Sequence, residues 1–127
     1  MEQTGSLGTA YRDGEFIIRQ GDSAESIFVV QEGRVEIVRE QNGVEIQMLV
    51  CGRGQMVGLS TLFDGEVQRF HVRALGPARL IAVHRKNLLR RIHEDPSLAF
   101  HIIEELSNRT HKLTDQIMQL RLKDINS

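Results

Sequence analysis

The chain has little of what marks a secreted, membrane-spanning or nucleic-acid-binding protein. It has no tryptophan, two prolines and one cysteine among 127 residues, and no apolar run approaches the ~20 residues of a membrane helix. The single cysteine, Cys51, cannot form an internal disulfide, so we expect a reducing, cytoplasmic setting and no membrane association. Lys and Arg number 16 against 17 Asp and Glu, which excludes a net basic field that would draw the chain onto nucleic acid.

Catalytic and metal-binding patterns are also missing. The sequence has no P-loop, no dinucleotide fingerprint and no nucleophile-elbow serine. The histidines show neither a His-x-His pair nor a pair four residues apart; they are His71, His84, His93, His101 and His111. His101 lies near Glu104 and Glu105, but one such group supplies too few ligands for a closed metal site. We therefore predict no catalytic residue, no metal and no enzyme.

What the chain does contain is a series of short apolar segments separated by turn residues. Residues 1–10 are mostly small and polar and predict a flexible lead-in. From Tyr11 onward the pattern predicts roughly eight short strands, which is typical of an all-β roll built as a double sheet. Turns are expected at Glu32-Gly33 and at Gly76-Pro77.

The clearest hairpin centres on Asn42-Gly43, which supplies the positive φ angles of a type I′ turn. In the arm that follows, polar Glu45 and Gln47 alternate with apolar residues. Alternation of this kind places one face of the strand on the core and the other in water. The residues expected on the core face are Val44, Ile46, Met48 and Val50.

After His84 the apolar period changes from two to between three and four, which predicts helices. A short helix is expected over 86–93, and Asp95-Pro96 marks the start of a long helix that runs from about Ser97 toward Leu122. One side of the long helix is apolar. This stripe either packs on the chain's own β-roll or pairs with a second copy, and the length of the helix favours pairing. Its dimer residues are expected to be Leu106, Leu113, Ile117 and Leu120.

Three stretches of the sequence resemble the cyclic-nucleotide-binding family, in particular the sensor domain of Crp/Fnr-type transcription regulators. They are residues 13–22, 26–30 and 32–37, and later matches follow at Gly54, Gly58, Val72-Arg73-Ala74 and Asp95-Pro96. The resemblance implies a mainly β fold with C-terminal helices: a double-stranded β-helix, or jelly-roll, barrel over 11–94 with a short cassette helix, then a long dimerisation helix over 95–127.

The resemblance also implies where a ligand would bind. In the family, a short cassette helix faces the cyclic phosphate, a Glu after the cassette glycine holds the ribose, and an Arg clamps the phosphate. Here Leu59 stands at the position of the Glu, and Gln68 at that of the Arg. The cassette residues expected to line the site are Gly58, Leu59, Ser60 and Thr61, and Thr110, Leu113 and Thr114 of the long helix would cover the ligand.

Strand alternation decides which neighbours of Gln68 face the same pocket. If Val72 points inward, Gln68 and Phe70 do so too, while Arg69 and His71 point outward. A bulge near Arg69 would turn its guanidinium into the pocket, and we therefore include Arg69 and Phe70 among the candidate binding residues. Two lost charge-assisted contacts, each worth roughly 1.5–3 kcal/mol, would weaken a cyclic nucleotide by two to four decades.

Cyclic AMP is therefore disfavoured as the effector, and a cyclic nucleotide stays a candidate of low rank. Crp/Fnr-type sensors that lack the nucleotide residues bind heme or small organic effectors, and both classes remain candidates for this chain. Cys51 is either a heme or redox thiol or a buried small apolar residue, and its place at a strand end favours the second interpretation.

Two functions are compatible with these features. The first is the effector-sensing, homodimerising domain of a transcription regulator, which would contact DNA only through a further C-terminal domain. No helix-turn-helix is expected within the chain, because residues 120–127 resemble the point where the family leaves the dimer helix. The alternative is a stand-alone regulatory subunit or adaptor that acts through a protein partner.

Overall fold

A computed structural model describes residues 8–61 and 66–126 of the chain. The chain divides into two compact units, Met1–Leu89 and Arg90–Ser127. The strands are β1 (Thr9–Tyr11), β2 (Phe16–Ile18), β3 (Ser26–Gln41), β4 (Val44–Cys51), β5 (Met56–Val57) and β6 (His71–His84). A 3-10 helix spans Leu59–Thr61, and two α-helices follow, α1 (Arg85–Glu94) and α2 (Pro96–Asn126).

The strands form one antiparallel sheet in the order β1-β6-β3-β4, with β2 also paired to β6 and β5 to β3. The predicted fold class, mainly β with C-terminal helices, is confirmed. The pairing does not close the described strands into a barrel. Its core is a cluster of buried apolar residues in which Val30, Val35 and Leu80 are almost completely buried.

The prediction of about eight short strands is wrong, because β3 and β6 continue through both expected turns. Glu32 pairs with Arg79 and Arg34 with Leu75, so β6 carries two more residues than β3 at this point. Gly33, with φ of +80°, lies against this bulge. A Cβ on Gly33 would lie 2.3 Å from the carbonyl oxygen of Pro77. The glycine therefore lets two strands bend together without separating.

The predicted hairpin between β3 and β4 is present, and Asn42 and Gly43 both have positive φ (56° and 79°). The expected core face of β4 is wrong at its start. Val44 and Ile46 are 58% and 56% exposed, because they pair with β3 residues at the hairpin tip that are themselves exposed. The register also shifts between Ile37 and Val38, which interrupts the alternation further along β4.

The lead-in predicted over residues 1–10 is shorter than expected. Thr9–Tyr11 already forms β1, which pairs with Ala78–Leu80 of β6, and residues 1–7 lie outside the described part of the chain. Tyr11 packs against the core. Burial, followed by the charge of Glu15, raises the pKa of the Tyr11 hydroxyl above its ordinary value.

Both predicted helices are present and slightly longer than expected. The side chain of Asp95 begins α2 by accepting hydrogen bonds from the backbone N–H of Ser97 (3.0 Å) and from its hydroxyl (2.6 Å). Pro96 takes the first helical position, where its missing N–H costs nothing. Among the described residues, neither helix is long and apolar enough to cross a membrane.

Candidate functional site

The backbone conformation of Gly58 determines how the chain enters the predicted cassette. Gly58 has φ of +90°, a conformation that side chains rarely tolerate. A Cβ at this position would lie 3.4 Å from the carbonyl oxygen of Ser26 and 3.5 Å from Cδ1 of Ile18. Gly58 therefore brings the backbone of the cassette segment close to β2 and β3.

The next three residues form the described part of the cassette, a single turn of 3-10 helix. The hydroxyl of Thr61 donates to the carbonyl oxygen of Gly58 (3.0 Å), which closes the turn. Leu59 and Thr61 are buried and Ser60 is exposed. Leu59, which the resemblance aligns with the family's ribose-binding Glu, is 6% exposed. Residues 62–65, where the cassette was expected to continue, lie outside the described part of the chain.

Gln68 is held by its backbone against the loop that follows β2. Its N–H donates to the carbonyl oxygen of Asp22 (2.7 Å), and its own carbonyl oxygen accepts from the N–H of Gly21 (2.8 Å). The residue is 5% exposed. Gln68 is therefore buried, and the direction of its side chain within the predicted alternation stays a prediction.

An open cleft of about 180 Å³ lies beside Gln68. Polar residues at one side of it come from the loop after β2 and from the start of β3. The lining residues are Ile17, Ile18, Asp22, Ser23, Glu25, Ser26, Phe28 and Gln68. Gln68 is thus the predicted binding residue that lines this cleft, and Gly58 lies against two of the other lining residues.

The neighbours of Gln68 follow the predicted alternation only in part. Arg69 is exposed, and Phe70 is partly buried against the core with the Arg39 guanidinium 5.6 Å from its ring centroid. His71, expected to face outward, is 8% exposed. The face of the sheet opposite the core is covered at this point, because the Phe16 ring packs edge-on against His71 with centroids 5.1 Å apart.

The hydrogen bonds of His71 determine its tautomer. The backbone N–H of Gln20 donates to Nδ1 (3.0 Å), and Nε2 lies 2.9 Å from a carboxylate oxygen of Glu40. A nitrogen that accepts an N–H carries no proton, so the proton of the neutral ring is on Nε2 and is donated to Glu40. The Gln20 side chain also pairs with the backbone of Glu40 through two 2.9 Å hydrogen bonds, which fixes Gln20 in place.

His71, Glu40 and Glu45 bring ligand atoms within 4.8 Å of one another and so resemble a metal site. The tautomer argues against a metal. A neutral histidine that binds a metal through Nε2 carries its proton on Nδ1, but Nδ1 of His71 accepts the backbone N–H of Gln20. Glu45 is also occupied by the Arg73 guanidinium at 3.0 Å, and Arg73 donates to Glu36 as well. Desolvation lowers the pKa of Arg73, but its hydrogen bonds to Glu45 and Glu36 outweigh this and raise it overall.

The remaining candidate residues lie on α2, in the second unit. The hydroxyl of Thr110 donates to the carbonyl oxygen of Leu106 (3.0 Å), and that of Thr114 to the carbonyl oxygen of Thr110 (2.8 Å). Both threonines are exposed, while Leu113 is partly buried. Their expected contact with a ligand stays a prediction. Cys51 is 1% exposed within the core cluster, as a structural cysteine would be.

The sequence profile of the family "Cyclic nucleotide-binding domain" matches residues 9–95 of the chain. The chain belongs to this family.

Three relatives show how the chain compares with characterised members of the family. It is 23% identical over 109 residues to the Anaerobic regulatory protein of Bacillus subtilis, covering 84% of the chain and 46% of the relative. It is 33% identical over 70 residues to the cAMP-dependent protein kinase type II regulatory subunit of Drosophila melanogaster (55% and 19%). It is 20% identical over 117 residues to the cAMP-activated global transcriptional regulator CRP of Salmonella typhimurium (91% and 56%). The chain thus spans about half or less of these relatives.

The c-di-GMP responsive global regulator CLP of Xanthomonas campestris has a similar fold, with a TM-score of 0.82 at 22% identity over 92% of the chain and 61% of that structure. The chain is therefore a cyclic nucleotide-binding domain related to Crp/Fnr-type regulators and to protein kinase regulatory subunits.

Four polar residues that line the cleft beside Gln68 were not predicted as site residues: Asp22, Ser23, Glu25 and Ser26. They occupy a short polar segment that follows β2 and ends at the first residue of β3. The signal that could have found them is the density of polar side chains directly after Gly21, which has φ of +95°.

Proposed function

We propose that this domain senses a small effector and forms a homodimer through α2, as the sensor part of a Crp/Fnr-type transcription regulator. The observation that carries the proposal is the apolar stripe on α2. Leu106, Leu113 and Leu120 recur every seven residues, and Ile117 falls between the last two. Repeats of this spacing are typical of helices that pair along a shared seam.

The exposure of these side chains supports a second copy as the partner. Leu106, Ile117 and Leu120 are 40%, 54% and 64% exposed in the single chain. Leu106 and Leu120 are about 21 Å apart along α2 at 1.5 Å per residue, so the seam covers about four helical turns. Covering these side chains with the same residues of a second chain would remove apolar surface from water on both copies.

The sensing part of the proposal rests on the first unit. Gly58, directly before the 3-10 turn, lies against β2 and β3, and Gln68 lines the adjoining cleft. A bound effector changes an equilibrium only through different affinities for two states. We therefore expect the effector to act by favouring one arrangement of α2, and DNA contact to belong to a separate domain that follows this helix. No catalytic step and no metal are part of the proposal.

Sedimentation velocity tests the dimer. We expect a dimer at tens of micromolar for the unmodified chain and a monomer for Leu113→Glu, because the change places two charges in an apolar seam. Gln119→Glu adds the same charge outside the seam and should remain dimeric. A monomeric unmodified chain, or equal association of both variants, would contradict the proposal.

A second candidate is a regulatory subunit or adaptor that acts through a protein partner. It is favoured by the 33% identity to the protein kinase regulatory subunit of Drosophila melanogaster. The same experiment separates the two candidates, since an adaptor of this kind would expose the α2 seam to a different protein and would sediment as a monomer by itself.

A further inference from the structure

The cleft beside Gln68 is acidic, and within the described part of the chain its polar side chains have no partners. Two carboxylates, Asp22 and Glu25, lie at its edge, and the eight lining residues that the structure describes include no Lys, Arg or His. No hydrogen bond or ion pair of the side chains of Asp22, Glu25 or Gln68 is found within residues 8–61 and 66–126. Within the same ranges this also holds for Ser23 and Ser26.

Gln68 is the most informative of these residues. It is 5% exposed, and its backbone is tied to Gly21 and Asp22, so its position is fixed. Gln68 lines the cleft, so a ligand or water there can supply the hydrogen bonds that its carboxamide does not make to described residues.

The charge of the cleft selects the class of ligand. A phosphate would approach two carboxylates that no cation among the described lining residues neutralises, and it would meet Gln68 where the family's Arg is expected. A divalent ion such as Ca²⁺ takes about 6–8 oxygen ligands at close range, which is more than the two carboxylates, two hydroxyls and one amide of this cleft supply. An organic cation instead finds two negative charges, two serine hydroxyls and one amide as hydrogen-bond acceptors.

The volume of the cleft limits the size of the ligand. The 180 Å³ corresponds to about six water-sized groups of ~30 Å³ each, and it is smaller than the roughly 300–1,000 Å³ of pockets for drug-sized ligands. The apolar side chains of Ile17, Ile18 and Phe28 line the rest of the cleft and suit an aliphatic segment.

We propose that this cleft binds a small aliphatic ammonium or guanidinium compound, with its charge facing Asp22 and Glu25 and a hydrogen bond to Gln68. This inference rests on the proposed sensing function, because it names the class of effector. Its contact with Ser26 would reach the cassette, since Gly58 packs on the backbone of that residue.

A titration of the full chain, labelled with nitrogen-15, with 1,4-diaminobutane tests the proposal. We expect saturable shifts of the Gly21, Asp22 and Gln68 amide signals, and none with the neutral 1,4-butanediol or the anionic succinate. The double variant Asp22→Asn with Glu25→Gln should bind about tenfold more weakly, since each surface charge contact is worth up to ~1 kcal/mol. Glu32→Gln, which removes an exposed carboxylate outside the cleft, should bind within about twofold of the unmodified chain.

Three results would overturn the proposal: shifts no larger than those from sodium chloride at equal ionic strength, unchanged binding by the double variant, or stronger shifts with succinate or cyclic AMP. In the last case the sensing function would stand and only the ligand class would fail. If the chain is a monomer and still binds diaminobutane in the cleft, the proposed dimerisation is wrong and the proposed cation site is supported.

Discussion

Gly33→Ala tests the close approach that lets β3 and β6 bend together. Gly33 has φ of +80°, and a Cβ there would lie 2.3 Å from the carbonyl oxygen of Pro77 and 2.9 Å from Cα of Ala78. Both are backbone atoms, so no change of side-chain rotamer relieves the clash. The two strands would have to separate at the corner where β6 carries its extra residues.

The magnitude follows from two separable contributions. A positive φ costs an alanine about 1–2 kcal/mol, and a forced shift in a packed region costs about 1–3 kcal/mol more. Gly33→Ala should therefore lower the free energy of unfolding by about 2–5 kcal/mol. Gly43→Ala is a matched control, because Gly43 has φ of +79° and, apart from its chain neighbours, no described residue lies within 4 Å of where a Cβ would stand. Only the backbone contribution, about 1–2 kcal/mol, applies to it.

Urea unfolding followed by circular dichroism measures the difference. With a slope of about 1–3 kcal/mol per molar urea, the midpoint of Gly33→Ala should lie about 1 M below that of Gly43→Ala. Midpoints that agree within about 0.2 M would refute the steric argument, because the two variants would then share only the cost of a positive φ.

Two further predictions concern the ligand and α2. Calorimetry should find cyclic AMP binding weaker than about 10 μM, and the double change Leu59→Glu with Gln68→Arg should strengthen it; a tighter constant for the unmodified chain would contradict the assignment of these positions. The hydrogen bonds from the Ser97 hydroxyl and N–H hold the pKa of Asp95 below its ordinary value. These hydrogen bonds therefore stabilise α2 at any pH above the pKa that Asp95 has in the unfolded chain. The stabilisation is lost as the pH falls through the lower pKa that Asp95 has in the folded chain. The protection of amides at the start of α2, relative to their intrinsic exchange rate at each pH, should fall on acidification in the unmodified chain. It should not fall in Asp95→Asn, which caps without a charge, and equal pH dependence of protection in both would count against this.

Local features were predictable because local interactions determine them. Asn42-Gly43 has the turn chemistry that any hairpin of this type needs, and Asp95-Pro96 combines a capping side chain with a residue suited to the first helical turn. The spacing of apolar residues after His84 predicted both helices.

Other features depend on what lies across the sheet. Val44 and Ile46 have the pattern of core residues, but no layer of the described residues covers the hairpin tip where they pair. His71 lies on the side expected to face water, but Phe16, Gln20 and Glu40 cover it. Such burial depends on residues distant in sequence, and periodicity within one strand carries no information about them.

By itself the sequence determined the family and the change from strands to two C-terminal helices after His84; the alignment of Leu59 and Gln68 with the family's two ligand-binding positions stays a prediction. These follow from residue identity and local spacing. Only the tertiary structure decided that Glu32-Gly33 and Gly76-Pro77 are facing bends in a continuous ladder rather than turns between strands. It also decided that Asp22 and Glu25 share a cleft with Gln68, because the hydrogen bonds between Gln68 and the loop after β2 join segments that are more than 40 residues apart.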